Sequence, residues 1–130
     1  MRRVVITGMG AVTPIGNDVP SLWEGLKAGE CGIGPITKFD TGEYKVKVAA
    51  QVKGFDPLQY MEKGDVRKYD LFCQYALAAA SQAVEESGIV GTVDPERIGT
   101  YFGSGIGGIE TFAQQQAALM EKGPRRVSPF

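Results

Sequence analysis

The chain has 130 residues, 43% hydrophobic and 22% charged, with a net charge of −1 and no histidine. That length and balance describe one folded domain with a core and exclude a disordered segment. The near-zero charge gives no global pull toward nucleic acid or an anionic membrane, and no apolar stretch approaches the roughly 20 residues of a membrane span.

Residues 3–12 carry Val4, Val5 and Ile6 with little alternation, which predicts a strand buried on both faces, as in a parallel sheet covered by helices. Arg2-Arg3 before this short apolar run is similar to a signal-peptide start, but the glycines and Thr13-Pro14 argue against one. Asn17-Asp18 can cap a helix with Pro20 in its first turn. That helix would carry Leu22, Trp23 and Leu26 and stop near Gly29. Cys31 to Tyr44 is glycine-rich and irregular. Residues 45–52 alternate through Val46, Val48, Ala50 and Val52 like a half-exposed strand, and a loop with Asp56-Pro57 follows.

Residues 65–87 are the clearest helix. Tyr69, Phe72, Cys73, Ala76, Ala80, Ala83 and Ser87 share one stripe, with Gly88 as the stop. Ala78-Ala79-Ala80 makes one side thin enough to pack closely on a sheet or another helix. Asp94-Pro95 opens a short turn, Ile98–Phe102 reads as a second central strand, and Ile109–Lys122 as a helix ended by Gly123-Pro124. The alternation predicts an α/β layered fold without an internal repeat or a domain boundary within 1–130. Eighteen glycines, about twice the average share, cluster at the strand-to-helix junctions and imply close backbone approach.

Gly103, Gly105 and Gly108 satisfy the spacing GxGxxG between a strand and a helix, the context of a dinucleotide-binding turn and hence of an NAD(P)-dependent Rossmann oxidoreductase. Against it, the turn comes late in the chain, and Arg125-Arg126-Val127-Ser128 stands where a ribose-binding acid is wanted. Gly8-Met9-Gly10 fails too, with Thr13 at the third glycine position and Pro14 interrupting the helix. On spacing alone a plain structural turn accounts for the glycines better. Ile106 points elsewhere: a branched apolar side chain flanked by glycines can swing as the movable wall of an alkyl pocket. Cys31 and Cys73 form neither a CxxC nor a metal spacing, which fits a reducing cytoplasm.

The segments Arg3–Gly10, Thr13-Pro14-Ile15-Gly16-Asn17, Phe39-Asp40-Thr41, Arg67-Lys68-Tyr69-Asp70, Arg97-Ile98-Gly99, Gly103–Gly108 and Gly123–Phe130 together resemble the β-ketoacyl-acyl carrier protein synthases of the thiolase superfamily. Isoleucine at 106 favours their type II elongating members. The resemblance covers about the first third of a family chain. It implies a thiolase-like fold, layered α-β-α-β-α, of which residues 1–130 are the N-terminal part of the first half. It also implies an acyltransferase that elongates fatty acids by decarboxylative Claisen condensation of an acyl-enzyme with malonyl-carrier protein. Such an enzyme is expected to be cytoplasmic and homodimeric, to take acyl and malonyl thioesters from an acyl carrier protein, and to need no cofactor, metal, nucleic acid or membrane. The chemistry needs a thiolate nucleophile, imidazoles and oxyanion donors. The family places its cysteine and histidines beyond residue 130, so this stretch alone is expected to be inactive, and poorly folded if the chain ends at Phe130.

Neither cysteine carries the family's nucleophilic role: Cys73 lies in an apolar helical stripe, and Cys31 lies beside Glu30 with no base to activate it. The resemblance makes Ile106 the gate of the acyl pocket, where a plain core isoleucine is the alternative. It makes Arg67 and Lys68 one half of a carrier-protein patch; the alternative is a solvated helix face with Arg67 paired to Asp70 and Lys63 one turn earlier. Gly64 departs from the type II pattern, which has lysine there. Arg125 and Arg126, stiffened by Gly123-Pro124, match the other half of the patch and are too few for a nucleic-acid tail. Phe130 falls at the family's dimer contact. A non-catalytic chain-length factor of a polyketide synthase, similar in fold but lacking the nucleophile, is an alternative to the enzyme.

Overall fold

The computed structural model describes residues 3–128. The first helix, α1 (Val19–Ala28), starts where the capping signal predicts. Asp18 is extended, its carboxylate accepts from the Ser21 amide at 2.7 Å, and the Ser21 hydroxyl accepts from the Asp18 amide at 3.3 Å. This reciprocal cap satisfies donors that the first turn leaves orphaned. The helix ends at Gly29, whose φ of 69° closes the last turn on the Gly25 and Leu26 carbonyls.

The irregular stretch hides a strand. β1 (Ile33–Pro35) pairs antiparallel with β2 (Val48–Ala50), Gly34 opposite Ala49. Three residues that include a glycine and a proline carry no readable period, so this strand was invisible to pattern. Only Val48–Ala50 of the alternating run 45–52 becomes strand. The Gln51 amide extends the clasp, donating to the Pro35 carbonyl at 3.1 Å while its oxygen accepts from the Thr37 amide at 3.4 Å.

The helix expected over 65–87 forms in two pieces, α2 (Lys63–Val66) and α3 (Leu71–Ser87), with a turn at 67–70 between them. A buried amide explains the break. Gln74 is 8% exposed and donates to the carbonyls of Val66 at 3.1 Å and Tyr69 at 2.8 Å, the groups that the end of a helix leaves unpaired. α3 ends at Gly88 with φ 60°. The Asp94-Pro95 signal yields a 3₁₀ turn over Pro95–Arg97, with the Asp94 carboxylate accepting from the Glu96 amide at 3.0 Å. The last helix, α4 (Ile109–Lys122), has the predicted bounds and leads into a 3₁₀ turn over Pro124–Arg126.

Two expectations are corrected. Residues 3–12 and 98–102 hold no regular strand, and neither is buried on both faces: Val4 is 95% exposed and Tyr101 98%. An apolar run states a need for burial, but a ladder requires a neighbour offering N–H and C=O groups in register. Among the described residues neither run forms a ladder with another segment, although residues 8–11 and Phe102 line one open groove against α3. Closeness to α3 is nevertheless achieved. A Cβ on Gly10 would collide with the Ala79 carbonyl and one on Gly8 with that of Ala83. The Ala11 amide donates to the Gln82 side chain at 3.0 Å. The thin alanine face of α3 thus carries the glycines of the N-terminal segment, as the small residues on both sides predict. Ala78 is the one buried apolar side chain among the described residues. No helix among them is long and apolar enough to cross a membrane.

Candidate functional site

The glycine loop runs from Gly103 to Gly108, between the extended residues 98–102 and the first turn of α4. Its far end is pinned. The Ser104 hydroxyl accepts from the Gly107 amide at 3.0 Å, and Gly107, with φ 77°, accepts from the Ile109 amide at 3.0 Å. A residue with a Cβ is strained in that left-handed conformation, so the turn requires glycine at 107. Ile106 sits between the two hydrogen-bonded positions, 76% exposed. It is therefore not a core isoleucine among the described residues.

Beside the loop lies an open, mostly apolar groove of about 600 Å³ between α3 and residues 100–104, with Phe72, Cys73 and Leu77 on one wall and Phe102, Gly103 and Ser104 on the other. Ile106 stands outside its lining, beyond the groove's glycine end. Cys73 is half-buried in the apolar wall, the setting of an inert thiol, and Cys31 is exposed in its loop.

Asp70 governs the other side of the loop. It is half-buried, its carboxylate accepts from the Thr111 hydroxyl in the first turn of α4, and it fills the space a Cβ on Gly108 would occupy. An anion at a helix N-terminus is favourable. It also places a negative charge where a dinucleotide turn would seat its pyrophosphate. Gly103 and Gly105 have ordinary φ and face open space.

Arg67 and Lys68 are exposed in the turn between α2 and α3. Lys68 lies 3.4 Å from Asp65, an exposed pair of little energetic weight. The Arg67–Asp70 pairing is not formed; the Asp70 carboxylate instead accepts from the Thr111 hydroxyl. Among the described residues Arg67 makes no ion pair. Lys63 opens α2 and is exposed, and Gly64 has open space around it. Arg125 and Arg126 are exposed in the turn after α4. The Asp70–Thr111 contact brings the Arg67 turn to the first turn of α4, and Arg125 and Arg126 follow the other end of that helix. Phe130 lies outside the described residues.

Sequence reasoning missed Gln82. Its amide donates to the Asn17 carbonyl at 2.8 Å and the Tyr60 hydroxyl at 3.0 Å, while its oxygen accepts from the Ala11 amide. One side chain joins two separate segments, the N-terminal one and the turn at Tyr60, to α3. The signal was a glutamine set among Ala79, Ala80 and Ala83, a polar interruption of an otherwise apolar stripe. Nearby, Phe55 stacks on Tyr60 and meets Tyr75 edge-on, and burial pushes the Tyr75 phenol up.

Residues 1–130 match the family described as Beta-ketoacyl synthase, N-terminal domain. A curated relative, the 3-oxoacyl-[acyl-carrier-protein] synthase 2 of Vibrio cholerae serotype O1, is 54% identical over 130 residues, 99% of this chain and 31% of the relative. The chain thus spans about a third of the length of that relative. Among solved structures, the ishigamide ketosynthase/chain length factor is 30% identical with a TM-score of 0.79, over 98% of this chain and 32% of that one. A type II PKS acyl-carrier protein in complex with its ketosynthase bound to the hexaketide is 27% identical with a TM-score of 0.75, over 96% and 34%. The likeness shows the ketosynthase-type, thiolase-like α/β fold.

Proposed function

The chain belongs to the β-ketoacyl synthase N-terminal domain family, and from that premise we propose that it is part of a type II condensing enzyme that lengthens fatty acyl chains. The reaction is an acyl transfer from carrier protein to a cysteine thiolate, followed by decarboxylative attack of malonyl-carrier protein on the acyl thioester. The observation that carries the reading is the 54% identity across the chain to a 3-oxoacyl-[acyl-carrier-protein] synthase 2. On this reading the nucleophile and histidines come from sequence beyond residue 130, and the enzyme is a cytoplasmic homodimer with Phe130 at the subunit contact.

Features of the geometry support this reading of the carried-over residues. Ile106 is an exposed aliphatic side chain on a loop held at its far end through Gly107 and Gly108, so it can turn without breaking a packed core. Each alkyl CH₂ buried against such a wall is worth about 0.8 kcal/mol, which lets one side chain decide how long an acyl group fits. Arg67, Lys68, Arg125 and Arg126 present charge to solvent at two places, toward opposite ends of α4. That suits the steering and register of an acidic carrier protein. A carrier-protein complex is among the similar structures.

A chain-length-factor role is the second reading, favoured by the printed description of the structure with TM-score 0.79. At 30% identity against 54% it ranks behind the enzyme. The test is elongation by the full-length protein, given acyl-carrier proteins of graded chain length and malonyl-carrier protein. The enzyme yields products two carbons longer, and Ile106→Phe shortens the longest chain accepted. No elongation by the intact wild-type protein, with stable association to a separate ketosynthase, would establish the non-catalytic role instead.

A further inference from the structure

Asp70 joins two features that the proposed function uses separately. It follows Arg67-Lys68-Tyr69 directly, and the contact from its carboxylate to the Thr111 hydroxyl spans 41 residues. The same carboxylate abuts Gly108, the last residue of the glycine loop. On the loop side, the Ser104 hydroxyl holds the Gly107 amide at 3.0 Å, and the ring of Phe72, in the first turn of α3, reaches to 3.9 Å from where Gly107 would carry a Cβ. On the other side, the Gln74 amide grips the Val66 and Tyr69 carbonyls at 3.1 and 2.8 Å. The turn bearing Arg67 and Lys68 is therefore held at both ends, with Asp70 as its point of contact with the loop.

We propose that Asp70 is a positioning residue that transmits docking of an acidic carrier protein on Arg67 and Lys68 to the loop carrying Ile106; this rests on the function proposed above. A partner drawing on the two cations displaces the turn 66–70 as a unit, because Gln74 has removed its internal slack. Asp70 then moves against Gly108 and Thr111. The loop must follow or lose a charge-assisted hydrogen bond, which is stronger than a neutral one. The moving stretch is short, and its one left-handed residue, Gly107, lies next to Ile106. A small shift at Asp70 is thereby converted into reorientation of the gate. The carrier thus does more than deliver the acyl group: its contact favours the loop arrangement that admits the chain, a coupling between two sites that each prefer one of two states.

The experiment uses the full-length enzyme and two acyl donors of equal chain length, one on the carrier protein and one a small thioester without it. Asp70→Ala and Thr111→Val remove the link from opposite sides, and Thr111→Val keeps the side-chain volume if the first variant folds poorly. The expected result is a fall in kcat with the carrier-bound donor of about fivefold to tenfold. KM for the carrier and the rate with the small thioester stay unchanged, and the double variant is no worse than either single one. Asp70→Asn, still able to accept from Thr111, recovers most of the loss. Equal losses with both donors mean a structural role and overturn the proposal, as does no loss in either variant. Arg67→Glu and Ile106→Phe serve as separate controls. If these alter carrier KM and chain-length limit while the Asp70 variants do nothing, the inference alone falls. If the controls do nothing, the gate and docking assignments fall and take the inference with them.

Discussion

The seat of the N-terminal segment on α3 and the glycine loop before α4 are both rich in glycine, and they use it in opposite ways. At Gly8 and Gly10 the absent side chains let backbone lie against the Ala83 and Ala79 carbonyls. Gln82 then ties the segment down by satisfying the Ala11 amide and the Asn17 carbonyl. At Gly103 and Gly105 a Cβ would meet nothing within 4 Å. The first region uses its glycines for contact; the second keeps Gly103 and Gly105 in open space and fixes only its far end, through the left-handed turn at Gly107 and the contact of Gly108 with Asp70. Both carry motif-like spacing, so spacing alone does not separate a packing device from a working loop. What does separate them is the neighbour: a helix face of alanines in one case, open space beside an apolar groove in the other.

The largest effect that would break this contrast is steric. In the full-length protein, Gly10→Ala should cost roughly 3 kcal/mol, because the new methyl group meets a backbone carbonyl that cannot rotate away. Gly105→Ala should stay within about 0.5 kcal/mol. Urea denaturation of the pair decides the matter, and equal losses would mean that the two regions use glycine alike. Gln82→Ala comes next, at roughly 2 kcal/mol, since three half-buried partners on two segments lose their hydrogen bonds together. Gln82→Glu sharpens the point: with its carboxyl neutral it keeps an acceptor for Ala11 but has one O–H donor in place of the two N–H donors to Asn17 and Tyr60. It should fall between wild type and Gln82→Ala at a pH where the new carboxyl is neutral.

The elements that could be read in advance are those whose signal is local. The Asp18 cap, the Gly29 and Gly88 stops, and the bounds of α4 follow from short-range chemistry that needs no partner. The thin face of α3 was legible because small residues stood on both sides of the contact. The break at 67–70 was not, since it depends on Gln74 turning inward, and a glutamine in a helix reads as solvent-facing. The strands at 3–12 and 98–102 failed for the reason that governs β structure generally: their apolar pattern is intrinsic, but their ladder belongs to a neighbour. At the candidate site, resemblance supplied Ile106 and the four basic residues. The sequence could not announce Asp70 and Thr111, because a contact across 41 positions leaves no mark in spacing.

The smallest effect isolates the one part of the packed region that owes nothing to packing. Asp18 is exposed, and the Ser21 side-chain hydrogen bond, then the Ser21 amide, hold its carboxyl below the ordinary value of 3.8. A folded-state pKa depressed in this way gives stabilisation that is full above the unfolded value and disappears as pH falls through the folded one. Asp18→Ala should therefore cost about 1 kcal/mol near neutral pH, and the gap from wild type should shrink as pH drops below 3.8. Gly10→Ala involves no titrating group, so its penalty relative to wild type should stay flat over the same interval. Paired melts at pH 6 and in steps toward pH 3 read both slopes. A penalty for Asp18→Ala that did not change with pH would mean that the α1 cap works through shape rather than charge, and the line between local chemistry and close packing would have to be redrawn at residue 18.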